Sequence, residues 1–206
     1  MCLSPTDKIM NLITVNNVLL RISIQNGLIK NFYKVYQLKN RTLDGFVEDD
    51  YGRLYVSAED ELFVFKIHET SGSIKFDDYV FNNAKTRAVL KTGIWEIKHS
   101  RLFYDGTRKR VLWWKNLQEI FSIDAKDYHH MESHFFKISD KIRVIHGRFT
   151  TYMNYSEEQE LISVVVYQHI PQCFVLFTLN MRDRWSNLVL NNFGGKQINP
   201  SKISPI

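Results

Sequence analysis

Cysteine is almost missing from the 206-residue chain, which holds only Cys2 and Cys173. Two thiols cannot build a disulfide scaffold, and they are too few for a structural zinc site. Free thiols in a reducing compartment are the simplest reading, so an intracellular protein, cytoplasmic or nuclear, is expected. Long apolar runs are missing too. The stretches 161–167 and 174–179 fall far below the roughly 20 residues a membrane helix needs, and no membrane partner is expected. The first residues carry Pro5, Asp7 and Asn11 and lack a continuous apolar stretch, which speaks against a cleaved secretory signal. Alanine, the best helix former, occurs four times. A mainly helical fold is therefore disfavoured.

What the chain does contain is strand chemistry. Val, Ile, Thr, Phe, Tyr and Trp make up 72 of the 206 residues. These side chains fit a pleated, half-buried surface. Apolar and polar residues alternate in many short runs. Leu54 and Val56, then Leu62 and Val64, flank Ala58-Glu59-Asp60-Glu61 and predict a hairpin over 53–67. Residues 101–114 repeat the form around Asp105-Gly106-Thr107-Arg108. Asp-Gly signals a type I′ turn, whose two central residues need positive φ. Further strands are expected at 12–15, 18–24, 119–123, 142–149, 161–168 and 173–179. The best helical candidate, 125–136, reads as a turn plus a strand.

The strands recur as a unit. Segments 20–33, 63–76, 119–131 and 175–188 each hold an alternating strand ending at Ile24, Ile67, Ile123 or Leu179. A polar turn follows in each, then a large apolar residue: Ile29, Ile74, Tyr128 or Trp185. A multi-stranded unit at intervals of about 40–56 residues is the signature of a propeller blade. The expectation is an all-β, β-propeller-like array of about four blades, forming a small closed or an incomplete propeller. A β-sandwich or open barrel is the alternative. One repeat domain over 1–190 is expected, with units at about 10–45, 46–84, 89–136 and 140–190. The polar stretch 191–206 reads as a flexible tail. An open arc would expose apolar sheet faces and favour self-association.

Two stretches carry a resemblance. Asp50-Tyr51-Gly52-Arg53-Leu54-Tyr55-Val56 resembles the opening strand of many β-propeller repeats. Residues 177–185, ending in Trp185, resemble the closing hairpin of a kelch-type blade, where a tryptophan follows the turn. The other units carry Ile29, Ile74 and Tyr128 there, and the Gly-Gly pair of kelch blades is matched only by Gly194-Gly195, in an unsuitable place. The resemblance implies four-stranded blades around a channel, and a role as a recognition part of larger assemblies, ubiquitin ligases among them. No BTB-like or F-box-like helical region precedes the repeats, so another chain would have to supply that role.

Catalytic chemistry finds no anchor. Gly194-Gly195-Lys196 lacks the strand and glycine spacing of a phosphate loop, and Ser57 and Ser163 lack a nucleophile-elbow context. Cys173 sits in an apolar strand and reads as an inert thiol. His129, His130 and His134 surround Glu132 in the wrong order for a zincin, and they read as polar loop residues. No catalytic residue, metal or cofactor is assigned.

Charge is more informative. The formal net charge is +5, yet residues 44–78 carry −7 and residues 85–115 carry +7. Such neighbours can steer a partner or contact each other. The sharpest local feature is Arg108, Lys109 and Arg110 followed by Trp113, Trp114 and Lys115. These six are the candidate partner-binding residues. Adjacent tryptophans on a strand point to opposite faces, so at least one belongs to a core. The main reading is a non-enzymatic protein–protein interaction module that binds another protein. The alternative is RNA or single-stranded nucleic acid, bound by the basic and aromatic patch over 98–115.

Overall fold

The computed structural model describes residues 2–5, 8–58, 61–68, 73–81, 101–116, 119–135, 149–168, 173–182 and 185–191. Sixteen strands form four separate four-stranded antiparallel sheets among them. The first sheet holds β1 (Cys2–Leu3), β2 (Ile9–Ile13), β3 (Val18–Ser23) and β4 (Ile29–Lys34). The second holds β5 (Leu43–Glu48), β6 (Arg53–Ala58), β7 (Glu61–His68) and β8 (Ser73–Phe81). The third holds β9 (Arg101–Asp105), β10 (Arg110–Asn116), β11 (Glu119–Asp124) and β12 (Met131–Phe135). The fourth holds β13 (Phe149–Ser156), β14 (Leu161–Gln168), β15 (Cys173–Asn180) and β16 (Trp185–Asn191). Each sheet is a simple meander in chain order. That is the blade of a β-propeller, the fold class expected from the repeats. The four strands that anchored the repeat are β3, β7, β11 and β15, the third strand of each sheet.

The chain divides into two compact units, Met1–His134 and Phe135–Ile206. In the first unit the middle sheet is covered on both sides. Leu54, Val56 and Ala58 of β6, with Phe63, Phe65 and Ile67 of β7, pack against Leu19, Tyr33, Val35 and Leu38 of the first sheet region. The alternate residues Tyr55, Leu62 and Val64 pack against Leu102, Val111, Trp113, Phe121 and Ile123 of the third sheet. Period-two side-chain alternation thus feeds two cores from one strand. All of 54–58 is consequently buried, including Ser57. The third sheet also has two buried faces, since Leu112, Trp114 and Ile120 are as inaccessible as Val111 and Trp113.

A backbone device recurs once in every sheet. Asn17, Gly52, Lys109 and Glu160 each close a hairpin turn with positive φ, from 51° to 70°. Each carbonyl accepts a hydrogen bond from a residue near the end of the strand two along: Val35, Ile67, Ala125 and Met181 respectively, at 2.8–3.0 Å. Sheets two to four place this in their first turn, whereas the first sheet places it between β2 and β3. The αL conformation aims the carbonyl across the sheet end. The hydrogen bond itself uses backbone atoms only, so four different residue types fill the position.

Several local expectations need correction. The turn after Asp105 spans four residues, and its left-handed residue is Lys109 rather than Gly106, so it is not type I′. The strand expected at 12–15 is Ile9–Ile13, because Thr14 begins a turn in which its Oγ1 accepts the Val18 N–H at 3.2 Å. The segment resembling an opening strand is a turn followed by β6, the second strand of its sheet. Residues 125–135 behave as expected, a turn followed by β12; residue 136 lies outside the described residues. The tail beyond Asn191, the expected strand up to residue 148 and the basic residues Lys85 to Lys98 lie outside the described residues.

Candidate functional site

The turns entering β6 and β10 meet in the first unit, and buried aspartates organise both. Asp49 is fully buried. Its Oδ1 accepts the N–H groups of Tyr51 and Arg53 at 2.8 and 2.9 Å, and its Oδ2 accepts the Tyr55 hydroxyl at 3.1 Å. Burial raises the Asp49 pKa despite these donors, and burial followed by the Asp49 charge raises that of Tyr55. This satisfied carboxylate fixes the direction in which Tyr51 and Arg53 leave the backbone.

Arg53 reaches across to the third sheet. Its guanidinium donates to the Ala125 carbonyl at 2.7 Å and to that of Lys126 at 3.4 Å. The same group lies 5.4 Å from the centre of the Tyr51 ring and 5.2 Å from that of Tyr128. Those distances suit cation–π attraction. Tyr128 donates its hydroxyl to Asp77 at 3.1 Å and packs its ring against His129 at 4.4 Å. Tyr51 is 41% exposed and His129 is exposed, while Arg53 and Tyr128 are half-buried. Two sheets therefore combine to present an arginine flanked by tyrosines, already locked in position.

Arg108, Lys109 and Arg110 lie beside this surface, and each has a carboxylate. Asp105 is fully buried. It accepts Arg108 through the backbone N–H at 3.1 Å and the guanidinium at 3.4 Å, and Arg110 Nε at 3.0 Å. Lys109 Nζ pairs with Asp50 of the second sheet. The Tyr104 hydroxyl is buried nearby, and desolvation, followed by the Asp50 carboxylate, raises its pKa. The acidic and basic spans of the sequence thus meet directly at Lys109 and Asp50. Trp113 and Trp114 are both core residues, at 0% and 1% exposure. The Trp113 indole donates to Ser57 Oγ at 3.2 Å and stacks on Phe121 at 5.4 Å. Lys115 belongs to β10. The six predicted residues share one hairpin, but neither indole offers a face to a base.

Sequence reading missed Tyr51, Arg53 and Tyr128 as a group. Tyr51 and Arg53 stood inside the Asp50–Val56 segment and Tyr128 at a repeat position, but 75 residues separate Arg53 from Tyr128. The histidines do not converge. His129 and His130 are exposed, whereas His134 is buried on β12 rather than a loop residue. No group of three His, Cys, Asp or Glu side chains is placed to hold a metal among the described residues. Cys2 lies with its Sγ 3.8 Å from Asn11 Nδ2, and burial pushes its thiol up to about 11. No helix among the described residues is long and apolar enough to cross a membrane.

No family model and no curated protein matches the chain. Solved structures do. The β-propeller domain of Cps50 (Swd1) from Myceliophteria thermophila is similar with a TM-score of 0.54 at 7% identity, over 92% of this chain and 54% of that one. The chain therefore spans about half the length of that domain. The hemopexin-fold protein CP4 from cow pea is similar with a TM-score of 0.46 at 14% identity, over 93% of this chain and 89% of the other. The Swd1 likeness is one of fold, and that fold is the β-propeller.

Proposed function

We propose that the chain is a non-enzymatic recognition scaffold that binds another protein through the surface built by Tyr51, Arg53 and Tyr128. The supporting observation is the pre-positioned arginine between two tyrosines at the junction of two sheets. Tyr and Arg are the side chains that anchor protein interfaces, and rigid placement lowers the ordering cost on binding. The two carbonyl bonds from Ala125 and Lys126 supply that rigidity here. Arg108, Lys109 and Arg110 belong to the rim, where ion pairs to Asp105 and Asp50 hold their geometry. In the finer, kelch-like form of this reading, the scaffold is the substrate-recognition part of a larger intracellular assembly, cytoplasmic or nuclear. Nucleic-acid binding is the weaker reading. Its two tryptophans are buried, which removes base stacking, and Arg108, Lys109 and Arg110 already face carboxylates, which weakens their part in neutralising phosphate.

The test is capture with two baits. The wild-type chain should recover a stoichiometric protein that a folded Tyr51→Ala/Tyr128→Ala double variant does not. Equal recovery by both baits would remove this surface from the interface. A labelled single-stranded RNA that binds at low salt with a steep salt dependence would favour the alternative.

A further inference from the structure

Among the described residues, the first sheet ends in a strand with an unpaired outer edge and unusual chemistry. β4 is the terminal strand of its sheet. The Val35 N–H donates to the Asn17 carbonyl, and the register then pairs Val18 with Lys34, Leu19 with Tyr33 and Leu20 with Phe32. Antiparallel ladders alternate hydrogen-bonded and non-bonded pairs. Tyr33 therefore bonds inward to β3, while the backbone N–H and C=O of Phe32 and Lys34 point to the free edge. A register shift between Arg21 and Ile22 pairs Ile22 with Ile29. That shift puts Ile29 on the same face as Phe32. Both are exposed, at 57% and 73%, and Leu28 and Tyr36 beside them at 65% and 66%.

The segment that supplies this edge carries charge of one sign. Residues 8–43 contain no Asp or Glu. Arg21 and Arg41 are paired with Glu48 and Glu61 of the second sheet. Lys8, Lys30, Lys34 and Lys39 are exposed and have no acidic partner among the described residues, and Lys34 sits over the Tyr36 ring at 5.3 Å. Exposed apolar side chains, lysines and an open row of backbone groups fall on one strand.

We propose that β4 accepts an extended segment of a partner protein, alternating acidic and apolar residues, as a fifth strand of the first sheet. The lysines would meet its carboxylates, Ile29 and Phe32 its apolar side chains, and the outward groups of Phe32 and Lys34 its backbone. An anionic bilayer could satisfy the lysines and the apolar residues. It would leave those backbone groups buried without partners, which lipid tolerates poorly. This site is separate from the tyrosine–arginine surface and stands or falls independently of it.

A short labelled peptide of alternating glutamate and valine is the probe, titrated by fluorescence anisotropy onto the whole chain at low salt. The wild-type protein should bind it. Lys30→Glu/Lys34→Glu, two exposed changes that leave the fold intact by circular dichroism, should weaken binding about tenfold or more. The same peptide N-methylated at alternate amides should not bind. Saturating peptide should slow hydrogen exchange at the Phe32 and Lys34 amides and leave that of Tyr33 unchanged. Equal binding of the N-methylated peptide would overturn strand addition. So would absent peptide binding, whether vesicles of anionic lipid bind in its place or not, and so would a concentration-dependent dimer abolished by Phe32→Asp, which would assign the edge to a second copy.

Discussion

Glu48→Ala should come close to unfolding the first unit. Arg21 and Glu48 are a buried ion pair, with side chains 1% and 3% exposed and Nη1 3.1 Å from Oε2. Asn11 closes the cluster, donating to the same Glu48 oxygen and accepting from Arg21 at 3.2 Å. Removing the carboxylate leaves a guanidinium in a site that water cannot reach. Breaking one partner of such a pair costs about 3–5 kcal/mol, against total stabilities of about 5–15 kcal/mol for a domain. The pair itself need not be strongly stabilising, because desolvating two ions offsets most of their attraction. Replacing both as Arg21→Met/Glu48→Met should therefore recover most of the loss. It would still strand the Asn11 amide, at about 1–3 kcal/mol. Adding Asn11→Leu should bring stability to within about 1 kcal/mol of wild type or above it. Urea titration followed by circular dichroism measures all three variants. A loss below about 1 kcal/mol for Glu48→Ala would refute the reasoning, because it would mean that water reaches the cluster.

Three further outcomes follow from the same structure. Burial raises the Asp49 pKa above its ordinary 3.8, so the fold holds that proton more tightly than the unfolded chain. The associated stability is present at low pH and is lost as pH rises from about 4 through the raised value. Asp49→Asn should thus gain on wild type across that window and then run parallel, as paired melts at successive pH values would show. Gly52→Ala should cost about 1 kcal/mol, read as a shift in urea midpoint. The new Cβ meets only the Ile67 carbonyl at 3.9 Å, so the cost comes from φ +70° rather than a clash. With its thiol pushed up to about 11 by burial, Cys2 should alkylate at pH 8 roughly a hundredfold more slowly in the folded chain than in urea; mass spectrometry of its peptide measures the ratio.

Strand identity and repetition were legible because alternation and β-branched content are local properties. The hairpin at 101–114 was placed by Asp-Gly, yet its turn type was misread. The left-handed residue is Lys109, and nothing in a lysine announces positive φ. The same blindness hides the recurring carbonyl device, whose four residues are Asn17, Gly52, Lys109 and Glu160. For Trp113 and Trp114, strand alternation places at least one in a core. Both are buried; Trp113 packs against the second sheet, a contact that no single strand reveals. Arg21 and Glu48 lie 27 positions apart in alternating strands and look like ordinary surface charges in sequence. The tyrosine–arginine surface was illegible for the same reason: its parts meet only once the second and third sheets stack.

That stacking is the premise of both the scaffold surface and its geometry, and one contact reports it directly. The Trp113 indole N–H lies 3.2 Å from Ser57 Oγ, across 56 residues and between two sheets. A nuclear Overhauser spectrum in water should show a cross-peak from this indole proton to the Ser57 β-protons, with slow exchange of the indole proton. A rapidly exchanging indole proton with no contact to Ser57 would contradict the account.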